Sequence, residues 1–149
     1  MGTNLNPEET RQQALNLLPH GPEFRFIDHL LTLDPGKTGE AEYLVRGDES
    51  FLPGHFPGEP IFPGVLLAEA AAQLAGVVAQ SDPTIPPLKG LRLTALRNIK
   101  ILGTARPGQT ILLKATIAGR MGHLIQAQVT LAVAGELVLT GEITLSGGK

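Results

Sequence analysis

One stretch of the chain carries two residues that could perform acid–base chemistry. Residues 54–73 read GHFPGEPIFPGVLLAEAAAQ and contain His55 and, fourteen positions later, Glu69. An imidazole can accept a proton near neutral pH, and a carboxylic acid can donate one where its surroundings disfavour the charged form. Glycine and proline flank His55 and restrict its backbone, so we expect the loop to hold the imidazole in place. The pair predicts an acid–base site with His55 as base and Glu69 as acid.

Glu69 lies in a segment with the composition of a buried helix. Val65 to Gln80 is almost entirely valine, leucine, alanine and glycine, and Glu69 is the only charged residue between Glu59 and Asp82. A helix that is apolar on all sides is a buried helix, and an unpaired carboxylate inside one is strongly unfavourable. Glu69 is therefore either a structural carboxylate bonded to backbone donors or a functional group that faces a cavity.

Composition limits the class of protein. With 149 residues, 42% of them hydrophobic, the chain is long enough for one domain with a core and too short for two. It has no cysteine, and its N-terminus lacks the regions of a signal peptide, so we expect a cytoplasmic protein. A membrane span over 61–79 is rejected because Pro63 and Gly64 interrupt it and a central acid is costly. No zinc-ligand spacing, phosphate loop or dinucleotide fingerprint occurs, so no metal or cofactor is expected.

Hydrophobic periodicity predicts a short helix, a long helix and several strands. The short helix covers about residues 7–18, with Asn6 as N-cap and Pro7 at the first helical position. One buried helix beside many strands favours an α+β domain in which an antiparallel sheet wraps the helix. The predicted strands are residues 24–33, 38–45, 88–102, 111–118, 124–133 and 137–145.

The central segment also carries a family motif. It consists of Gly54-His55-Phe56-Pro57-Gly58, Pro60-Ile61, Pro63-Gly64-Val65 and Glu69-Ala70 with Gln73. These residues resemble the active-site motif of the FabZ-type (3R)-hydroxyacyl-acyl-carrier-protein dehydratases. Leu18-Pro19-His20 and Pro107-Gly108 resemble two further motifs of that family, and the similarity covers roughly residues 7–145. The resemblance implies a single domain over 1–149 with the hot-dog fold, and an enzyme that converts 3-hydroxyacyl thioesters to trans-2-enoyl thioesters.

The chemistry of such a dehydration assigns roles to three residues. His55 would remove a proton from C2, and Glu69 would protonate the hydroxyl that leaves C3. The backbone N–H of Gly64, at the helix N-terminus, would stabilise the negative charge that develops on the thioester oxygen. The expected substrate-binding residues are Phe56, Ile61, Val65 and Gln73.

In the resembling family the histidine comes from one protomer and the acid from its mate. The resemblance therefore implies at least a homodimer, which could assemble further into a trimer of dimers. The three other histidines are interpreted as structural or surface residues: His20, His29 and His123.

Charge is segregated along the chain. Residues 1–82 hold four Lys/Arg and twelve Asp/Glu, a net charge of −8, whereas residues 83–135 hold seven Lys/Arg and no acid, a net charge of +7. Arg97, Lys100 and Arg106 are candidates for docking an acyl carrier protein that bears the substrate on phosphopantetheine. The alternative is pairing of the two halves within or between chains. Nucleic acid is disfavoured because aromatic residues for base stacking are scarce here.

Two other functions fit parts of the same pattern. A hot-dog thioesterase would hydrolyse the thioester and release a free thiol instead of forming a C=C bond. A non-catalytic acyl-carrier-binding module would keep the acyl site, but it has no need of both His55 and Glu69. The dehydratase is therefore the preferred hypothesis.

Overall fold

A computed structural model describes residues 7–21, 24–49, 52 and 61–148. His55 and Phe56 lie outside these described residues, together with the rest of the 53–60 stretch. In chain order the elements are α1 (Pro7–Leu15), β1 (His29–Asp34), β2 (Thr38–Leu44), α2 (Gly64–Gln80), β3 (Lys89–Ile101), β4 (Thr110–Met121), β5 (Leu124–Val133) and β6 (Glu136–Gly148).

The strands form one six-stranded sheet in the order β1-β2-β4-β5-β6-β3, and every neighbouring pair is antiparallel. Side chains of β4 and β5 alternate between buried and exposed over most of their length, because successive residues of a strand point to opposite faces. Leu113, Leu131 and Ile143 come from three neighbouring strands and are all fully buried. The inner face of the sheet packs on α2, which confirms the predicted α+β hot-dog fold.

Helix α2 forms the centre of the core. Leu67, Leu74 and Val78 are completely buried, and alanines fill most of the remaining buried positions of the helix. Small side chains let the sheet come close: a Cβ added to Gly39 of β2 would lie 2.7 Å from Val78 Cγ2. No helix in the described ranges is long and apolar enough to cross a membrane.

Several element boundaries differ from the predicted ones. Strands β4 and β6 each end three residues later than expected, at Met121 and Gly148. The first strand was expected over 24–33 but begins at His29. Instead, the Phe24 C=O and the Phe26 N–H form hydrogen bonds with the side chain of Gln73. These backbone groups are therefore not available to a neighbouring strand. Helix α1 ends at Leu15, three residues early, and the chain continues in i→i+3 turns that include the bond from Leu18 N–H to Leu15 C=O.

The two edge strands of the sheet, β1 and β3, differ in length and in exposure. β1 has six residues, and α1 packs against it. β3 has thirteen residues, nearly all of them exposed or half-buried, and pairs with only β6 among the described strands. The positive φ of Asn98 and three register shifts make β3 irregular.

Candidate active site

Glu69 lies in the second turn of α2, on the stripe that also holds Val65 and Gln73. These residues are four positions apart, so their side chains project from the same side of the helix. The neighbours Ala68 and Ala70 are buried, but the Glu69 side chain is 25% exposed and lines a cavity of about 240 Å³. Of the two interpretations left open by the sequence, this position fits a carboxylate that faces a cavity.

Gln73 connects Glu69 to the chain before β1. Its side-chain Oε1 accepts the N–H of Phe26 at 2.8 Å, and its Nε2 donates to the C=O of Phe24 at 2.8 Å. These two bonds fix the orientation of the amide, because only its oxygen can accept the N–H and only its nitrogen can donate to the C=O. The second N–H of Nε2 reaches Glu69 Oε2 at 3.2 Å. Gln73 is only 2% exposed, so this network is held rigidly inside the protein.

His20 is the second partner of Glu69. Its Nε2 lies 3.5 Å from Glu69 Oε2, and its ring stacks on Phe24 with centroids 6.0 Å apart. The sequence predicts a structural or surface role for His20 and gives no indication of its contact with Glu69. The available signal was the motif Leu18-Pro19-His20, which the family resemblance includes but to which no role was given.

The remainder of the cavity lining is mostly apolar. At the end away from Glu69, the side chain of Gln80 closes the wall by bonding the backbone of Leu88 in both directions, with N···O distances of 2.8 and 3.1 Å. Arg92 also lies in the lining. A cavity with a carboxyl group at one end and largely apolar walls suits a substrate with one reactive end and a hydrocarbon chain. The main apolar lining residues are Ala72, Val77, Leu88, Leu91, Leu93 and Leu145.

The N-terminus of α2 is open. Pro63 occupies the N-cap position, and no side chain of the described residues caps the helix there. The first N–H groups of a helix have no partner within it, and Gly64 is the first residue of α2, so its N–H has no acceptor within the helix. Gly64 also packs tightly on the end of β3, because an added Cβ would lie 2.9 Å from Ile101 Cδ1.

The other predicted site residues lie apart from the cavity or outside the described chain. Val65 is 76% exposed, and neither it nor Ile61 is among the residues that line the cavity. The basic residues Arg97, Lys100 and Arg106 are exposed, on β3 and on the connection that follows it. The structure thus brings together Glu69 and Gln73 from the predicted set, and adds His20.

A second polar cluster lies at the end of β2, where Glu49 accepts three hydrogen bonds. The Tyr43 hydroxyl donates at 2.7 Å, the Gly47 N–H at 2.7 Å and the Arg46 N–H at 3.0 Å. Burial alone would raise the pKa of Glu49, but these bonds to the charged form outweigh it and lower that pKa. Burial, followed by the bond to Glu49, raises the pKa of Tyr43 well above its usual range.

Asp28 completes this cluster from the other side. Its carboxylate accepts the Leu44 N–H at 2.7 Å and Arg46 Nη2 at 2.6 Å. The hydrogen bond to Asp28 raises the pKa of Arg46, which stays charged at any physiological pH. Together, Asp28 and Glu49 fix the chain between the end of β2 and residue 49.

A six-stranded antiparallel sheet around one helix, with a carboxyl group of that helix at an apolar cavity, defines a hot-dog protein with a candidate acid–base site. Comparison with known proteins gives the family. Residues 18–142 match the FabA-like domain family. The chain belongs to this family.

Curated relatives cover most of the chain. The 3-hydroxyacyl-[acyl-carrier-protein] dehydratase FabZ of Ruminiclostridium cellulolyticum is 34% identical over 140 residues, which is 94% of this chain and 98% of the relative. The enzyme of the same name from Acetivibrio thermocellus is 36% identical over 90% of this chain and 91% of the relative. The enzyme of that name from Caldicellulosiruptor saccharolyticus is 32% identical over 87% of this chain and 91% of the relative.

Solved structures share the fold at low sequence identity. A chain of the dehydratase heterocomplex ApeI:P from Xenorhabdus doucetiae matches with a TM-score of 0.76 and 13% identity, over 93% of this chain and 91% of that chain. Zebra fish thioesterase superfamily member 2 matches with a TM-score of 0.69 and 18% identity, over 97% and 100%. At these identities the likeness shows the fold alone.

Proposed function

We propose that this chain removes water from (3R)-3-hydroxyacyl thioesters carried on acyl carrier protein, and that Glu69 and His55 perform the chemistry. The family and the curated dehydratases, aligned over most of their length, support the reaction. The single observation that carries the proposal is the position of Glu69, held on a rigid helix at the polar end of an apolar cavity.

Dehydration needs a base that acts at C2 and an acid that acts on the hydroxyl group of C3, the neighbouring carbon. The base takes a proton from C2, the hydroxyl leaves C3 with a proton from the acid, and a C=C bond forms as water departs. Glu69 is the acid, because it opens on the cavity and is held by Gln73 and His20. His55 is the base in this proposal, on the evidence of its motif.

The thioester oxygen gains negative charge while the C2 proton leaves. An N–H at a helix N-terminus stabilises such charge, since both the free donor and the helix dipole favour an anion there. Gly64 is the first residue of α2 and lies little more than one turn before Glu69 on the same helix. We therefore assign the Gly64 N–H to the thioester oxygen.

The active unit is proposed to be a homodimer formed along β3. A long exposed edge strand is a template for pairing with another chain, and exposed apolar patches mark interfaces. Leu96 and Ile101 of β3 are each 52% exposed, and Val65 at the start of α2 is 76% exposed. In the dimer each site would take His55 from one chain and Glu69 from its partner. Assembly into a trimer of dimers stays a prediction, as does the cytoplasmic location.

Exposed basic residues are the proposed docking surface for the carrier protein. Charge reversal at Arg97 and Lys100 should raise KM for a carrier-linked substrate more than for a short pantetheine-linked one. Equal effects on both substrates would assign these residues to folding or assembly instead. Arg106 is a further member of this surface.

The function is tested by turnover of a series of 3-hydroxyacyl carrier-protein substrates of increasing chain length, with products identified by mass. The proposal predicts loss of one water and retention of the thioester. Release of a free thiol would identify a thioesterase. Binding without any mass change would identify a non-catalytic module, and either outcome would overturn the dehydratase assignment.

A further inference from the structure

His20 is carried by a short segment that is anchored to the same helix as Glu69. Arg25 Nη2 lies 3.4 Å from the Leu18 C=O, and the Phe24 N–H donates to the Gly21 C=O at 3.0 Å. Gln73 holds the segment to α2 through the backbone of Phe24 and of Phe26. The imidazole is therefore fixed relative to Glu69 by the side chain that also contacts Glu69.

Two side-chain nitrogen atoms lie near one oxygen of the carboxyl group. Gln73 Nε2 lies 3.2 Å from Glu69 Oε2, and His20 Nε2 lies 3.5 Å from the same atom. No hydrogen bond to Oε1 of Glu69 comes from any side chain in the described part of the protein. One oxygen is held and the other is left for a substrate.

The environment of the ring selects its tautomer. His20 Nδ1 is buried and has no hydrogen-bond partner among the described residues. A buried N–H without an acceptor is unfavourable, whereas a buried lone pair costs less. The N–H of the neutral ring therefore belongs on Nε2, directed at Glu69. At 3.5 Å this contact is long, and such contacts commonly shorten when substrate is bound.

We propose that His20 is a positioning residue for the acid: it and Gln73 hold Oε2 of Glu69 so that Oε1 delivers the proton to the departing hydroxyl. The inference rests on the proposed function. The effect of His20 should appear in kcat and only weakly in KM, because the orientation of the acid matters in the transition state rather than in substrate binding.

Three variants separate positioning from packing. His20→Phe keeps a ring to stack on Phe24 but lacks the donor, and we expect kcat to fall about tenfold with KM nearly unchanged. His20→Gln places an amide N–H near the position of Nε2 and should recover most of the loss. His123→Phe is the matched control, because His123 is exposed and does not line the cavity.

A double-mutant cycle with Glu69→Gln completes the test. If His20 acts through Glu69, adding His20→Phe to Glu69→Gln should lower the remaining rate no further. The ¹⁵N NMR signals of the ring should also show the proton on Nε2, a readout that needs no activity. Unchanged kcat in a folded His20→Phe protein, or additive losses in the cycle, would overturn the proposal. An inactive wild-type protein would instead contradict the proposed function.

Discussion

Two glutamates of this protein contact polar neighbours, yet the surroundings of their carboxyl groups differ. Glu49 accepts three hydrogen bonds of 2.7 to 3.0 Å at the end of β2, two of them from backbone N–H groups. Glu69 has two side-chain contacts, at 3.2 and 3.5 Å, both on one oxygen. Both oxygens of Glu49 are bonded by its own chain, whereas Glu69 retains one oxygen without a side-chain partner among the described residues.

The difference separates a cluster that stabilises the fold from one that is the candidate for the proposed reaction. A carboxylate with both oxygens bonded locally contributes to stability and has little bonding capacity left for a ligand. A carboxylate held at one oxygen is positioned without being neutralised by its neighbours. Proteins commonly give up stability at such sites in exchange for function.

The largest effect on kcat is expected when the Glu69 carboxyl group is replaced by an amide. Glu69→Gln should lower kcat by ~10²–10⁴, the usual contribution of general acid–base catalysis, while the midpoint of urea unfolding stays near the wild-type value. His55→Ala should lower kcat within the same range. Glu49→Gln is the matched control and should lose stability while keeping most of its activity. Near-normal turnover by folded Glu69→Gln protein would remove Glu69 from the mechanism.

The oxyanion donor should give the next largest effect. Gly64→Pro removes the N–H at the first helical position, where proline is otherwise well accommodated, and should lower kcat by roughly 10²–10³. Gly64→Ala keeps the N–H and needs only a small shift of Ile101 Cδ1, so it controls for steric damage. If the two variants lose activity equally, the loss is steric and the donor role is not supported.

The pH dependence of the free energy of unfolding tests the role assigned to Glu49. Despite its burial, hydrogen bonds lower the pKa of Glu49 in the folded protein from the usual 4.5. Its contribution to stability is therefore complete above about pH 4.5 and is lost as the pH falls through the folded value. Glu49→Gln should therefore lower the free energy of unfolding by ~1 kcal/mol at pH 7 and by less at pH 3. A difference that does not depend on pH would mean that the charge of Glu49 is unimportant.

Much of the fold was predictable because local pattern and tertiary structure agree. The apolar run of 65–80 and the alternation along 124–133 predicted α2 and β5 within a residue or two. The start of β1 was not predictable, because the Gln73 amide takes backbone groups that the pattern assigned to a strand. Such competition between a side chain and a ladder has no local signature.

The candidate site was predictable for a different reason. The motif around Glu69 is short and continuous, so its residues could be recognised without knowing the fold. His20 is forty-nine positions away, and only packing of the segment before β1 onto α2 brings the two together. A lone histidine in a sequence does not indicate such a contact, so a structural or surface role was the expected one for His20.

The central claim is that Glu69 is one half of a site that His55 of a second chain completes. It is tested most directly by co-refolding inactive His55→Ala chains with inactive Glu69→Gln chains. Each mixed dimer would then contain one doubly damaged site and one with both wild-type residues. With random pairing, half the dimers are mixed, so about a quarter of all sites should regain activity. Failure to regain activity, with mixed dimers confirmed by native mass spectrometry, would contradict a site shared between two chains.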